Sequence, residues 1–184
     1  MKKLLLHMTC CCFIVLVSSL QGHSQSMKLE DIRAQMVKEW ERAKAYTNEY
    51  LNTMPADKYE YRPVDSIRSF SQQMLHLAQA NVFLMSSATG TKPLGYIMHD
   101  MENAAGAQKK DSVVYYVNTS YDFCINAVKN SDVSKWAEKR KFFSFEEPMF
   151  ALMLKAFEHQ THHRGQTTIY IRLQGIKPPQ EKLF

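Results

Sequence analysis

From Met27 to about Thr53 the apolar residues Leu29, Ile32, Met36, Trp40, Ala43, Tyr46 or Thr47, and Tyr50 return at steps of three and four, with charged residues between them. That period lays one apolar stripe along a helix, so the segment predicts a single long amphipathic helix. The stretch "MPADKYEYRPVDS", with two prolines, interrupts it. A second helix is predicted to begin at Ser69, where "SFSQ" places Gln72 three residues after a Ser N-cap and so offers a capping box. It runs through "QQMLHLAQANVFLMSS" to the turn-forming cluster "ATGTKPLG". After a polar stretch around "MENAAGAQKK", a third helix is predicted from about Asp111 to Asn130. Its "SVVYY" run favours a strand by composition, but Val114, Val117, Tyr121, Ile125 and Val128 keep helical spacing. The segment "SDVSKWAEKRKFFSFEEP" is expected to be irregular. A fourth helix is predicted from about Glu146 to Gln174, closed by Gly175 and then Pro178 and Pro179.

Four helices of roughly 18 to 29 residues, joined by connections of about 15 to 25 and without an internal repeat or a low-complexity tract, predict an all-α fold, a four-helix bundle with long crossover connections. The connections exceed the usual ~2 to 8 residues between bundle helices. They are therefore expected to hold short extra helices, a lid over a site, or dimer contacts.

The first 26 residues read differently. Lys2 and Lys3 precede an apolar run from Cys10 to Leu20, and small and polar residues follow it. This is the layout of a secretory signal peptide, with cleavage expected between about Ser24 and Ser26. The run falls short of the ~20 residues that cross a bilayer, so no stable membrane insertion is expected once it is removed. Cys10, Cys11 and Cys12 stand at the start of the apolar run, which argues against a lipoprotein. The expected division is a leader at 1–25 and one bundle domain at 26–184, in a protein exported to the periplasm or secreted. Of the four cysteines only Cys124 then remains, and no internal disulfide can form.

The chain has 184 residues, 45% of them hydrophobic, as befits one globular domain. Its formal charge is +5 from 23 basic and 18 acidic side chains; without Lys2 and Lys3 the count is 21 against 18, or +3. That balance is too mild for nucleic-acid binding. The densest basic run, "KWAEKRK" at Lys135 to Lys141, is expected to be a solvated loop or helix end.

Candidate chemistry lies in "FEHQTHHRGQ", Phe157 to Gln166. At 100° per residue, His159 and His163 are about 40° apart around the helix and one turn apart along it, so both imidazoles can point to one place. His162, about 60° from His159 on the other side, could substitute geometrically. Two nitrogens make a weak metal site; a third must come from another helix. His7 and His23 lie in the leader and His99 in a loop, which leaves His76, in the middle of the second helix. A His from one helix and a pair from another give three nitrogens and open positions, the ligand count of a catalytic centre. On the residues alone, His76 as a hydrogen-bonded core histidine and "HQTHH" as a polar or pH-sensitive helix face stay open. The zinc-peptidase pattern H-E-x-x-H is absent, because Gln160 stands where the Glu would be. Arg164 could hold an anionic group or be an exposed or interface residue. Gln166 and Tyr170 could face the site, or Tyr170 could simply pack. Cys124, between Phe123 and Ile125, is expected to be a buried inert thiol.

The phrases "YEYRPVDSIRSFSQQMLHLAQAN" and "FEHQTHHRGQTTIYIRLQGIKPP", with this order of elements, resemble the DinB-like superfamily of bacterial four-helix bundles over essentially the whole mature chain. The resemblance puts the family's metal-binding histidine of the second helix on His76 and its H-x-x-x-H pair on His159 and His163, leaving His162 as a neighbour. It implies a divalent metal ion, such as nickel, zinc, iron or manganese, and a small-molecule substrate. Some relatives are transferases or isomerases that use a low-molecular-weight thiol, and family members often dimerise, so a homodimer is an expected partner. Thiol cofactors of that kind are mainly cytosolic, and an exported member is therefore expected to use metal-activated water. The expected function is a metal-dependent transferase or hydrolase. The alternative is a non-enzymatic metal-binding or stress-associated bundle acting through a dimer interface.

Overall fold

The structure is a computed structural model that describes residues 26–97 and 100–184. Four helices form the bundle: α1 (Leu29–Thr53), α2 (Phe70–Thr89), α3 (Lys110–Lys129) and α4 (Met149–Leu173). The expected leader and His99 lie outside the described residues. Among the described residues no helix is long and apolar enough to cross a membrane.

The local signals explain where the helices stop. Ser69 Oγ accepts the Gln72 N–H while Gln72 Oε1 accepts the Ser69 N–H, so the capping box satisfies two otherwise orphaned donors at the start of α2. Gly90 and Gly175, at φ 75° and 73°, take the left-handed conformation that ends α2 and α4. The helical spacing in "SVVYY" prevails over its strand composition because Val113, Val117, Tyr121, Cys124 and Val128 form one buried face of α3.

Packing fixes the circuit of the bundle. α1 packs against α3 and α4, and α2 against the same two helices, most extensively against α4. Successive helices α1 and α2 thus stand across a diagonal, as do α3 and α4. A diagonal step has to cross the end of the bundle, which is the physical reason for the long connections. These carry one-turn 3-10 helices at Ala56–Lys58, Gly95–Ile97 and Val133–Lys135.

The third connection departs from the expected irregular coil. Lys139–Phe142 (β1) and Phe145–Pro148 (β2) pair as an antiparallel hairpin, and α4 starts at Met149 instead of Glu146. Glu146 and Glu147 face Lys141 and Arg140 across the strands. Backbone pairing in this register takes up residues that a helical period would also accept, and Pro148, at the N-cap, starts α4 only after the hairpin. Of the basic run Lys135 to Lys141, Lys135 closes a 3-10 turn and Lys139, Arg140 and Lys141 lie in β1, while Trp136 between them is buried, its Nε1 donating to Ser131 Oγ at 3.0 Å. Phe143, at φ 53°, turns the hairpin, and the rings of Phe142 and Phe143 lie 5.6 and 5.9 Å from that of Phe83 on α2.

The core centres on Trp40, fully buried, with Tyr121 and Phe157 edge-on at 5.8 and 5.3 Å. A polar belt crosses it. Tyr121 donates to Gln160 Oε1 at 2.7 Å and lies 2.7 Å from Thr47 Oγ1, while Arg164 Nη1 donates to Gln160 Oε1 at 2.8 Å. The belt ties α1, α3 and α4 together. Gln160, where a zinc peptidase would carry its base, is thus a buried structural group on another face of α4.

Gly165 is exposed in the interior of α4, and a Cβ there would meet nothing within 4 Å. Gly165→Ala should therefore stabilise the protein by about 0.5–1 kcal/mol, read as a higher urea midpoint at unchanged slope, because it removes unfolded-chain freedom without a clash.

Candidate metal centre

The neighbouring placement of α2 and α4 brings His76 against His159 and His163. One ring nitrogen from each can be chosen so that all three lie within 4.8 Å of one another. Ring centroids are 5.3 Å apart for His76 and His159, 4.5 Å for His76 and His163, and 4.4 Å for His159 and His163. His162 is exposed, outside this group, and 2.9 Å from Gln166 Nε2.

Hydrogen bonds orient two of the rings. His76 Nδ1 lies 2.7 Å from Glu102 Oε1, and a carboxylate can only accept, so Nδ1 carries the proton and Nε2 keeps its lone pair. For His163 the assignment runs through three residues. The carbonyl of Arg68 accepts from Tyr170 Oη at 2.8 Å, so the Tyr170 oxygen accepts from Gln73 Nε2 at 3.3 Å. Gln73 Oε1 therefore faces His163 Nδ1, at 2.8 Å, and accepts its proton. Again Nε2 is left free. His159 Nδ1 is buried with no hydrogen-bond partner among the described residues. Such an orphaned nitrogen costs free energy unless something engages it.

Burial, and then the positive fields of neighbouring histidines and Arg68, lowers the His159 pKa to about 4 and that of His163 to about 3. Both rings are neutral at pH 7, the form a metal ion requires. The residues fit a divalent cation. Imidazole nitrogens at ~2.0–2.1 Å from one tetrahedral ion are about 3.4 Å apart, so the three nitrogens, within 4.8 Å of one another, would close in by about 1 Å or a little more through ring rotation. The oriented Nδ1–H groups of His76 and His163 match the outer hydrogen bonds that metal-bound histidines usually make.

Glu102 and Gln73 are the functional candidates that sequence reasoning missed. Gln73 stands three residues before His76 and shares its face of α2, a signal available in the sequence. Glu102 lies in the α2–α3 connection, where no periodicity fixes a side chain's place. It also binds Arg68, whose Nε donates to Oε2 at 2.6 Å.

The other candidates fall elsewhere. Arg164 is buried in the polar belt, with its guanidinium 4.6 Å from the centre of the Tyr46 ring, so it is neither an exposed residue nor part of the histidine group. Tyr170 packs and positions Gln73. Gln166 lines a cavity beside His162 and His163. Cys124 is buried, its thiol 3.4 Å from the Asn81 carbonyl and its pKa pushed up by burial, which suits an inert thiol.

Comparison with known proteins agrees with this architecture. Three solved structures share the fold: a DinB-like protein from Bacillus cereus ATCC 10987 (18% identity, TM-score 0.67, covering 80% of this chain and 96% of that one), the DinB-like protein YjoA from Bacillus subtilis (17%, 0.62, 82% and 96%), and a conserved protein from Enterococcus faecalis (16%, 0.63, 80% and 98%). No curated protein matches the chain. The family model described as the DinB family matches residues 24–183, which is nearly the whole sequence, and the chain belongs to that family.

Proposed function

We propose that His76, His159 and His163 hold one divalent metal ion and that the protein, exported by its leader, is a metal-dependent transferase or hydrolase acting on a small molecule. The observation that carries this reading is the convergence of three imidazole nitrogens within 4.8 Å from two helices, two of them with Nδ1 already satisfied. When bound, such an ion supplies Lewis acidity that activates water or a thiol at neutral pH.

The chain's own residues do the rest. Glu102 accepts from His76 Nδ1 and Gln73 from His163 Nδ1, which keeps both Nε2 lone pairs directed away from these acceptors. Tyr170 holds Gln73 in the orientation that makes this possible. Burial keeps His159 and His163 unprotonated, so protons do not compete for their lone pairs near pH 7. Three neutral ligands leave the charge of a dication uncompensated, which favours an anionic nucleophile at the site.

Purified mature protein should carry about one metal ion per chain by elemental analysis, and His76→Ala together with His159→Ala should abolish it. Retention of stoichiometric metal in that double variant would sink the assignment.

Glu102→Gln should keep the site but weaken it, by about tenfold in metal affinity on competitive titration with a chelating dye, since it removes the charged acceptor behind His76. Unchanged affinity would show that Glu102 has no such role.

The metal-free protein should also lose stability as the pH falls from about 6.5 towards 4. Folded pKa values of about 4 for His159 and about 3 for His163 lie below the unfolded value of about 6.5, so the unfolded chain takes up protons first. That contribution is fully present above pH 6.5. Urea melts across this window should be flatter for His163→Gln than for the wild type, and equal slopes would contradict the burial of a neutral ring.

A further inference from the structure

Two cavities open beside the histidine group, and they differ in chemistry. One, of about 640 Å³, is lined by His163 and His162 together with Ser66, Arg68, Gln72 and Gln166. The other, of about 400 Å³, is lined by His76 and His159 together with Ala80, Phe83 and Leu84. Glu102 lines both, so the two cavities meet at the residue that orients His76.

Arg68 is the cation of the polar cavity. Glu102 engages its Nε, and its two terminal nitrogens have no partner among the described residues. With its side chain 41% exposed, the guanidinium keeps one free edge for a planar anion. Glu102 takes up only the Nε side of Arg68, and among the described residues no lysine or second arginine lines the cavity, so it offers a single guanidinium edge, enough for one carboxylate and not two.

Beyond Glu102 and the two histidines, the second cavity is lined by Gln79, Ala80, Phe83 and Leu84. Its Phe83 wall is backed by Phe142 and Phe143, which the hairpin holds 5.6 and 5.9 Å from the Phe83 ring. An apolar arm that leaves water there gains about fourfold in affinity for each methylene buried.

We infer that the substrate of this site is a small monocarboxylate with an apolar arm, the carboxylate on Arg68 and the arm among Ala80, Phe83 and Leu84. This names the substrate class of the proposed metal site and rests on that reading for its chemistry. The binding contacts themselves belong to the chain and do not require the ion.

The test is isothermal titration of chelator-treated protein with octanoate, 1-octanol and acetate, followed by the chain-length series from butanoate to octanoate. Octanoate should bind about tenfold or more tightly than either 1-octanol or acetate, and affinity should climb with chain length until the cavity is filled. Arg68→Met should bring octanoate down to the level of 1-octanol while leaving 1-octanol unchanged, which also shows that the variant is folded. Ala80→Phe, which fills the apolar cavity, should bring octanoate down to the level of acetate. Equal binding of the three probes, or preferences that survive both variants, would overturn the inference; the chain-length series needs no variant and decides even if Ala80→Phe does not fold. The outcomes separate from those of the metal assignment: preferences in a protein that holds no metal leave this inference standing and remove the metal, and stoichiometric metal without preferences does the reverse.

Discussion

The contact between α2 and α4 is the constraint on which the site depends. These helices are not consecutive in the chain, yet the circuit of the bundle makes them neighbours and gives them its most extensive helix–helix contact. Three imidazoles at that contact lie 4.4 to 5.3 Å from one another, centre to centre. Rings so close cannot all be protonated, and burial together with the neighbouring positive charge keeps His159 and His163 neutral. A neutral imidazole has one donor and one acceptor nitrogen, and each needs a partner. Glu102 and Gln73 take up two of the donors, and the remaining lone pairs are what the site offers to a cation.

α4 carries two polar faces, which explains why so apolar a bundle tolerates so many nitrogen-bearing side chains in one turn and a half. His159 and His163 look towards α2, whereas Gln160 and Arg164, also four residues apart, look towards α1 and α3. Arg164 is nearly buried, and its hydrogen bonds there go to Gln160 and Thr47 with Tyr46 beneath its plane. Burial of a guanidinium among neutral acceptors is tolerable because its charge is delocalised and weakly hydrated. The same residues join α4 to α1 and α3 through the core of the bundle.

The sequence read the two faces as one cluster. Spacing alone allowed His159 to pair with either His163 or His162, and only the resemblance to the DinB-like superfamily distinguished them. The structure shows the physical difference: His163 is buried against Gln73, while His162 is exposed beside Gln166. Glu102 escaped detection for a related reason. A loop carboxylate has no period, and its approach to His76 depends on the path of the α2–α3 connection. The hairpin escaped because its strands, four residues each, lack apolar alternation.

What the sequence determined by itself was local. Apolar residues at steps of three and four placed α1 and α3, the Ser69–Gln72 box and the turn cluster after it bounded α2, and Gly175 ended α4, because each of these depends only on backbone geometry and near neighbours. The tertiary structure decided which helices stand side by side, and with that which nitrogens converge, which are spoken for by Glu102 and Gln73, and that His159 Nδ1 is left buried without a partner. Those outcomes depend on distances between residues far apart in the chain, which helical periodicity cannot encode.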